Sequence, residues 1–350
     1  MTIAGAVPSV LASIACGGGS AAHQHSDAGS RDANPASDAL KDGSSTDAPV
    51  SCNSGQQGVS CVAAADPTHV MLAITVDEQN VYWMAQGPGF GTNVVAKAPR
   101  AGGATVTLAT VSTSSHQSLA SDGAHVYWSD ISASGDGSIK QVAVAGGSAA
   151  TLAPANRPVC VALDEFSVYW TEESGSVVKV PKAGGTPTTL ATSGPAYALA
   201  VGPDSVYWIS DALMAVSTGG GDPVTVWDPS PAGLDIGGCR TLALSGATLV
   251  LETATEVVPE QFDVEAVPVA GATSPALLGS SNDPLAVVAS AADAFWVGVA
   301  TDIEVNETPI QGGPTTTLAT PDARSVVDIV RASDGTLYWA TDVQIQSLTP

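Results

Sequence analysis

Residues 160–192 read CVALDEFSVYWTEESGSVVKVPKAGGTPTTLAT, and this stretch decides the fold. Short runs rich in β-branched and aromatic residues, namely CVALD, SVYWTEE, SVVKVPK and TPTTLAT, alternate in it with turn residues. Runs of this length separated by Gly, Ser and Asp are typical of short strands joined by tight connections. The stretch therefore predicts one four-stranded antiparallel sheet.

The same pattern recurs along the chain. Its clearest marker is an aromatic pair in the second strand, and a degenerate copy at Leu249–Leu251 fills the gap in the series. Seven markers follow one another at intervals of 38 to 45 residues, close to the period of a four-stranded propeller blade. We predict an all-β fold, a seven-bladed β-propeller over residues 58–350. The pairs are Tyr82-Trp83, Tyr127-Trp128, Tyr169-Trp170, Tyr207-Trp208, Phe295-Trp296 and Tyr338-Trp339.

Turn signals recur with the aromatic pairs. A glycine pair between the third and fourth strands supplies positive φ, and an aspartate marks the turn between the first and second strands. Neighbouring side chains of a strand point to opposite faces, so Tyr and Trp cover both faces of a blade, as stacked blades require. The glycine pairs are Gly102-Gly103, Gly146-Gly147, Gly184-Gly185, Gly219-Gly220 and Gly312-Gly313, and the aspartates are Asp77, Asp122, Asp164, Asp204 and Asp334.

The seventh copy lacks a fourth strand. The apolar segment Gly58 to Ala64 precedes the first copy and can supply that strand from the N-terminal side, which closes the ring. The alternative is a last blade of three strands.

The repeat resembles the YWTD-type propellers of lipoprotein-receptor ectodomains and related bacterial secreted propellers. The resemblance rests on Tyr169–Glu172 (YWTE), Tyr127–Asp130 (YWSD) and Tyr338-Trp339 with Thr341-Asp342, and it covers about residues 62–350. It implies a rigid platform for protein or glycan ligands. The family's aspartate is absent from most copies and seven markers replace its six blades, so the resemblance implies no particular ligand.

The N-terminal residues predict a targeting signal that is not part of the fold. Residues 1–16 form a short apolar stretch that ends in small residues before Cys16, which resembles a bacterial lipoprotein signal with Cys16 as the lipidated residue. A plain cleaved secretory signal and an accidental apolar start are the alternatives. Residues 17–57 are rich in Gly, Ser, Ala and Asp and predict a disordered tether. We expect an exported protein, lipid-anchored to the bacterial cell envelope or otherwise secreted.

Four cysteines remain if Cys16 is lipidated. Cys52 and Cys61 bracket a polar loop that a disulfide could close in an oxidising compartment. Cys160 and Cys239 fall at equivalent places in copies that are not neighbours, so we expect them too far apart for a bridge and predict buried free thiols.

Composition excludes several classes of function. The 350 residues include 34 acidic and 11 basic ones, which give a net charge of -23. This charge disfavours binding to nucleic acid and to anionic lipid surfaces. The sequence contains no HExxH, P-loop, GxSxG or CxxC signature. We expect no cofactor and no metal, a monomer, and contact with the membrane only through a lipid anchor.

One set of residues suggests a site. In a propeller, the loops that enter the innermost strands converge at the mouth of the central channel. A ring of arginines there would form an anion site, whereas arginines that cap carbonyls of their own loops or pair with neighbouring acids would be structural. The candidates are His69, His116, Arg157, Tyr197, Arg240 and Arg324, with Asp283 beside them.

These observations favour a non-catalytic platform that binds a protein, peptide or glycan through one propeller face. The alternative is an enzyme at the channel mouth, a lyase or hydrolase acting on an anionic polysaccharide or peptide. An enzyme requires a convergent acid/base pair with shifted pKa values, which a platform does not.

Overall fold

A computed structural model describes residues 56, 58–64, 70–87, 93–111, 118–132, 136–229, 233–234, 238–254, 261–271, 274–282, 286–299, 302–321, 326–342 and 344–350. Within these ranges all regular secondary structure is β-strand. The predicted signal at 1–16 and nearly all of the predicted tether at 17–57 lie outside the described residues.

The strands form seven sheets, each of which is one blade. The closing strand and the first two blades are β1 (Ser60–Ala64), β2 (Val70–Val76), β3 (Asn80–Gln86), β4 (Asn93–Pro99), β5 (Val106–Val111), β6 (Leu119–Ser121), β7 (His125–Ile131), β8 (Gly137–Ala143) and β9 (Ala150–Ala155). The third and fourth blades are β10 (Pro158–Leu163), β11 (Ser167–Glu172), β12 (Ser176–Pro181), β13 (Thr188–Thr192), β14 (Leu199–Val201), β15 (Ser205–Ile209), β16 (Leu213–Ser217) and β17 (Val224–Trp227).

The fifth blade is β18 (Gly233–Leu234), β19 (Leu242–Ser245), β20 (Thr248–Ala254), β21 (Phe262–Pro268) and β22 (Ala276–Ser281). The sixth and seventh are β23 (Ala286–Ala289), β24 (Asp293–Val299), β25 (Ile303–Pro309), β26 (Thr316–Ala319), β27 (Val326–Arg331), β28 (Leu337–Thr341) and β29 (Gln344–Leu348). The prediction of a seven-bladed, all-β propeller is confirmed.

The innermost strands form a ring. β2, β6, β10, β14, β19, β23 and β27 contact one another in this order, and β27 contacts β2. We call the face that carries the connections from one blade's outermost strand to the next blade's inner strand the upper face. The lower face carries the turns between first and second strands.

The ring closes between the seventh and first blades. β1 pairs antiparallel with β29, so the seventh sheet has the order β1-β29-β28-β27. This strand lies within the segment Gly58 to Ala64. The backbone N–H of Thr320, in the sixth blade, also donates to Gln56 Oε1 at 3.0 Å, which fixes the chain just before β1.

Seven hydrophobic clusters lie between neighbouring blades, and each takes the tyrosine position of one blade and the tryptophan position of the next. Tyr82 packs with Trp128, and Tyr338 with Trp83. The degenerate fifth blade supplies Leu251 and Val250 in the same two places. The six tryptophans of the repeat are at most 4% exposed, so they are core residues.

The turn between first and second strands has a common chemistry in three blades. Asp164 Oδ1 accepts the N–H groups of Phe166 and Ser167 at 2.7 and 2.6 Å, and its Oδ2 accepts the Tyr169 hydroxyl at 2.6 Å. Asp77 and Asp122 bond in the same way to Tyr82 and Tyr127. This carboxylate lowers the tyrosine's tendency to ionise, so burial and Asp164 together raise the pKa of Tyr169.

One glycine pair is displaced from its predicted place. In the fourth blade, positive φ falls on Gly220 (86°) and Gly221 (134°), not on Gly219-Gly220. The bond from Gly220 N–H to Ser217 O is the counterpart of that from Gly184 N–H to Pro181 O in the third blade. Three consecutive glycines made the register ambiguous in the sequence.

Candidate functional site: the central channel

The central channel contains a cavity of about 210 Å³. Residues of six blades line it, and none of its lining residues belongs to the fourth blade. We call it the channel cavity. Its polar lining includes Thr75, Ser118, Arg240 and Asp328, and its apolar lining includes Leu119, Val161, Leu242, Val287 and Ile329.

Asp328 is the buried acid of this cavity. Its Oδ2 accepts the N–H of Ile74 at 3.1 Å and its Oδ1 accepts the N–H of Ile329 at 2.9 Å. Burial raises the pKa of Asp328 to about 6, and the nearby charge of Arg240 and the two backbone bonds oppose this rise. Because Ile74 belongs to the first blade and Asp328 to the seventh, the carboxylate also bridges the closing seam of the ring.

Arg240 is the cation of the cavity. Its Nη1 donates to the carbonyl oxygen of Val327, and its own carbonyl accepts the N–H of Val287 at 2.9 Å. Both partners belong to the sixth and seventh blades, whereas Arg240 belongs to the fifth. The side chain of Ser118 plays a similar part on the other side, where its Oγ accepts the N–H of Val161 in the next blade at 2.9 Å.

The prediction of free thiols at Cys160 and Cys239 is wrong. The two residues form a disulfide with Cα atoms 5.3 Å apart. β14 is short and the inner strand of the fifth blade is interrupted between β18 and β19, so Cys239 reaches past the fourth blade to Cys160. The strand register shows that the two cysteines are not at equivalent places in their blades. Val161 pairs with Trp170 and Leu242 with Leu251, so Thr241, not Cys239, is the counterpart of Cys160.

Of the predicted pair Cys52 and Cys61, only Cys61 lies within the described residues. Cys61 is disulfide-bonded. Cys52, its predicted partner, lies outside the described residues, as does Cys16, so the 52–61 pairing and the lipidation stay predictions.

The predicted ring of channel-mouth residues is represented here by three members. Arg240 lines the channel cavity. Arg157 instead pairs with Glu173 of its own blade, its Nη2 donating to Glu173 Oε1 at 2.8 Å, and its side chain is 44% exposed. Tyr197 lies beside the disulfide, with its carbonyl oxygen against Cys160 Sγ. His69, His116, Asp283 and Arg324 lie outside the described residues.

Most of the described basic side chains link neighbouring blades. Lys182 pairs with Asp122 of the preceding blade at 3.2 Å, and Arg100 of the first blade contacts both Asp334 and Tyr338 of the seventh. Further links between blades run from Lys97 to Val144 O, from Lys179 to Thr218 O and from Arg331 to the Phe295 ring. Lys140 instead bonds to Thr151 within its own blade. The scarce cations of this acidic protein therefore serve mainly as structural contacts.

Sequence reasoning missed Asp328 as a site residue. The signal was present, since an acid stands in the middle of the apolar strand VVDIVR. Acids are rarely fully buried unless they are paired. Its partner Arg240 was identified, but from its loop position alone.

The described part of the chain offers neither a metal centre nor a long apolar helix. No group of three or more His, Cys, Asp or Glu side chains there is arranged to hold a metal ion. No helix in these ranges has the length and apolar character needed to cross a membrane.

Comparison with known proteins gives the fold. No family model and no curated protein matches the sequence. Among solved structures, that of YCF48 bound to D1 peptide aligns with a TM-score of 0.60 at 9% identity, over 83% of this chain and 96% of the other. The WD40 β-propeller domain of Doa1 aligns with a TM-score of 0.56 at 10% identity, over 83% and 97%.

A third solved structure, from a structural and mechanistic analysis of two prolyl endopeptidases, aligns with a TM-score of 0.57 at 13% identity over 79% of this chain. This chain spans about half (47%) of the length of that protein. At these identities the matches show a β-propeller and no shared function.

Proposed function

We propose that this chain is a non-catalytic binding platform, exported and lipid-anchored to the cell envelope, that engages a protein or peptide through one propeller face. The observation that carries the proposal is the use of the channel's polar groups. Asp328 and Ser118 bond to backbone N–H groups of neighbouring blades, so they close a rigid ring instead of converging on a substrate. A rigid ring offers two preorganised faces, which lowers the entropic cost of binding.

The chemistry of the cysteines supports export. Cys160 and Cys239 form a disulfide, and such bonds persist in oxidising compartments and are rare in the cytosol. The YWTD-type resemblance points the same way, because its members are ectodomains and secreted propellers. YCF48, a solved structure of the same fold, is bound to D1 peptide, so this architecture is able to hold a peptide.

The second candidate is an enzyme at the channel mouth. The observation that favours it is Asp328, a buried carboxyl in a cavity with a pKa near 6. Both of its oxygens already accept backbone N–H groups. Among the described residues, the other charged group that lines the cavity is Arg240, whose guanidinium stays protonated and therefore cannot act as a general base.

The test uses the full chain and one variant on each face. Asp211→Lys changes an exposed upper-face turn, and Phe166→Ser removes a side chain of a residue that is 70% exposed on the lower face. The wild type is cross-linked in envelope preparations and its partner is identified by mass spectrometry. We expect a polypeptide partner that one variant loses and the other retains.

Equal capture by both variants, or capture of glycan alone, would contradict a face-specific polypeptide platform. Conversion of the isolated partner by catalytic amounts of the chain, abolished by Asp328→Asn, would instead support the enzyme.

A further inference from the structure

The channel cavity holds a guanidinium with unused donors. Arg240 carries five N–H groups, and among the described residues only its Nη1 finds a protein acceptor, the carbonyl of Val327. The residue is largely buried but keeps some accessible surface, so solvent and small solutes reach it. A carboxylate that accepts two of these N–H groups replaces water with charge-assisted hydrogen bonds, which are about twice as strong as bonds between neutral groups.

The second charge in the cavity sets the conditions for an anion. Asp328 and Arg240 are the charged groups among the described residues that line it. With Asp328 ionised the pair is neutral, and a further anion is repelled by the carboxylate. With Asp328 protonated the cavity carries one net positive charge. Since the pKa of Asp328 is raised to about 6 by burial, mild acid suffices to make this change.

Size and lining restrict the ligand further. The volume of about 210 Å³ is below the roughly 300 to 1,000 Å³ of sites for drug-sized ligands. Aliphatic side chains such as Leu242 and Val287 provide the walls. A single guanidinium matches one planar carboxylate through two parallel hydrogen bonds.

We propose that the channel cavity binds a small monocarboxylate, with the carboxylate on the free N–H groups of Arg240 and a short apolar body against the aliphatic walls. A proton taken up from water by Asp328 accompanies binding, because a second negative charge beside Asp328 favours its neutral form. The proposal is independent of the platform: it concerns the channel, and the macromolecular partner concerns a face.

The first experiment measures lactate binding to the full chain by calorimetry, with the neutral analogue lactamide as control. We expect the lactate dissociation constant to be about tenfold or more lower at about pH 5 than at about pH 8, because removal of one unit charge near the anion is worth at least about one pKa unit. In the wild type at about pH 7 the binding enthalpy should depend on the ionisation enthalpy of the buffer, which reports proton uptake. Lactamide should not bind.

Two variants locate the site. Arg240→Gln retains a donor for Val327 O and should abolish lactate binding, whereas Arg157→Gln, which alters the exposed guanidinium paired with Glu173, should leave it unchanged. Asp328→Asn should bind lactate at about pH 8 as well as the wild type does at about pH 5.

The proposal is overturned if lactate and formate both fail to bind at about pH 5, if binding is independent of pH, or if Arg157→Gln weakens it as much as Arg240→Gln. Should Asp328→Asn fail to fold, the proton uptake of the wild type still decides the question. None of these outcomes bears on the partner captured at a propeller face.

Discussion

At the scale of single residues, the turn between the first and second strands decides whether the tyrosine hydroxyl of a blade has a carboxylate partner. The first three blades have Asp and Tyr, bonded through Oδ2 and the hydroxyl. The sixth blade has Ser290 and Phe295, and the serine Oγ still accepts the turn N–H groups of Ala292 and Asp293. A phenylalanine has no hydroxyl to satisfy, so a second acceptor oxygen is not needed there.

This coupling predicts the outcome of exchanging the pair in the third blade. Tyr169→Phe and Asp164→Ser should each lower the free energy of unfolding by about 1 to 3 kcal/mol, since each leaves one partner of a charge-assisted hydrogen bond behind. The double variant should cost less than the sum, with a coupling of about 0.5 to 3 kcal/mol. Urea denaturation of the three variants measures this cycle.

The fourth blade provides the matched control. Gly202 stands where the first three blades have the turn aspartate, and no hydroxyl–carboxylate bond is made by Tyr207 within the described structure. Tyr207→Phe should therefore change stability by less than about 0.5 kcal/mol. A loss as large as that of Tyr169→Phe would mean that the hydroxyl itself, not its bond to aspartate, is what stabilises the blades.

At the scale of elements, the N-terminal strand β1 is the outermost strand of the last blade. Val62 and Ala63 are 5% and 6% exposed and pack in the cluster between the seventh and first blades. A chain that starts at residue 65 should therefore have a lower unfolding midpoint than one that starts at residue 56, because it exposes β29 as an edge and opens this cluster. Differential scanning calorimetry of the two chains measures the difference, and equal midpoints would show that the ring closes without β1.

Elements also show what the sequence could predict. The blades were readable because each buries the same two side chains at a fixed place in its second strand, so the pattern repeats with the period of the fold. The fifth blade breaks this rule. Its inner strand is interrupted, and the interruption carries Cys239 and Arg240 into the channel, where no repeat pattern specifies their position. The disulfide and the charged cavity depend on which inner strands approach one another in the channel. The repeat pattern in the sequence does not predict these approaches.

At the scale of the whole molecule, the ring is held by contacts across the axis and across the seam. The disulfide links the third and fifth blades, and Asp328 of the seventh blade bonds to Ile74 of the first. The seam also contains the pair of Arg100 and Asp334, which lowers the pKa of Asp334. The pKa of Asp328 is shifted in the opposite direction to that of Asp334, because burial raises it above the value in an unfolded chain.

The sign fixes how the seam responds to pH. The folded protein binds the Asp328 proton more tightly than the unfolded chain does, so the contribution of this group to stability is greatest below about pH 4 and falls as pH rises through about 6. The loss between these values is on the order of 3 kcal/mol. Asp122, Asp164 and Asp334, whose pKa values are lowered, act in the opposite direction, and their contribution is lost only as pH falls below about 4.

Comparison of the wild type with Asp328→Asn isolates the contribution of Asp328 to the pH dependence of stability, because repulsion among the other acidic residues is common to both proteins. We expect the unfolding free energy of the wild type to fall more steeply than that of the variant between about pH 4 and about pH 7, as measured by urea denaturation at fixed ionic strength. Parallel curves would mean that Asp328 titrates alike in the folded and unfolded chains, which a carboxylate enclosed in the channel cannot do.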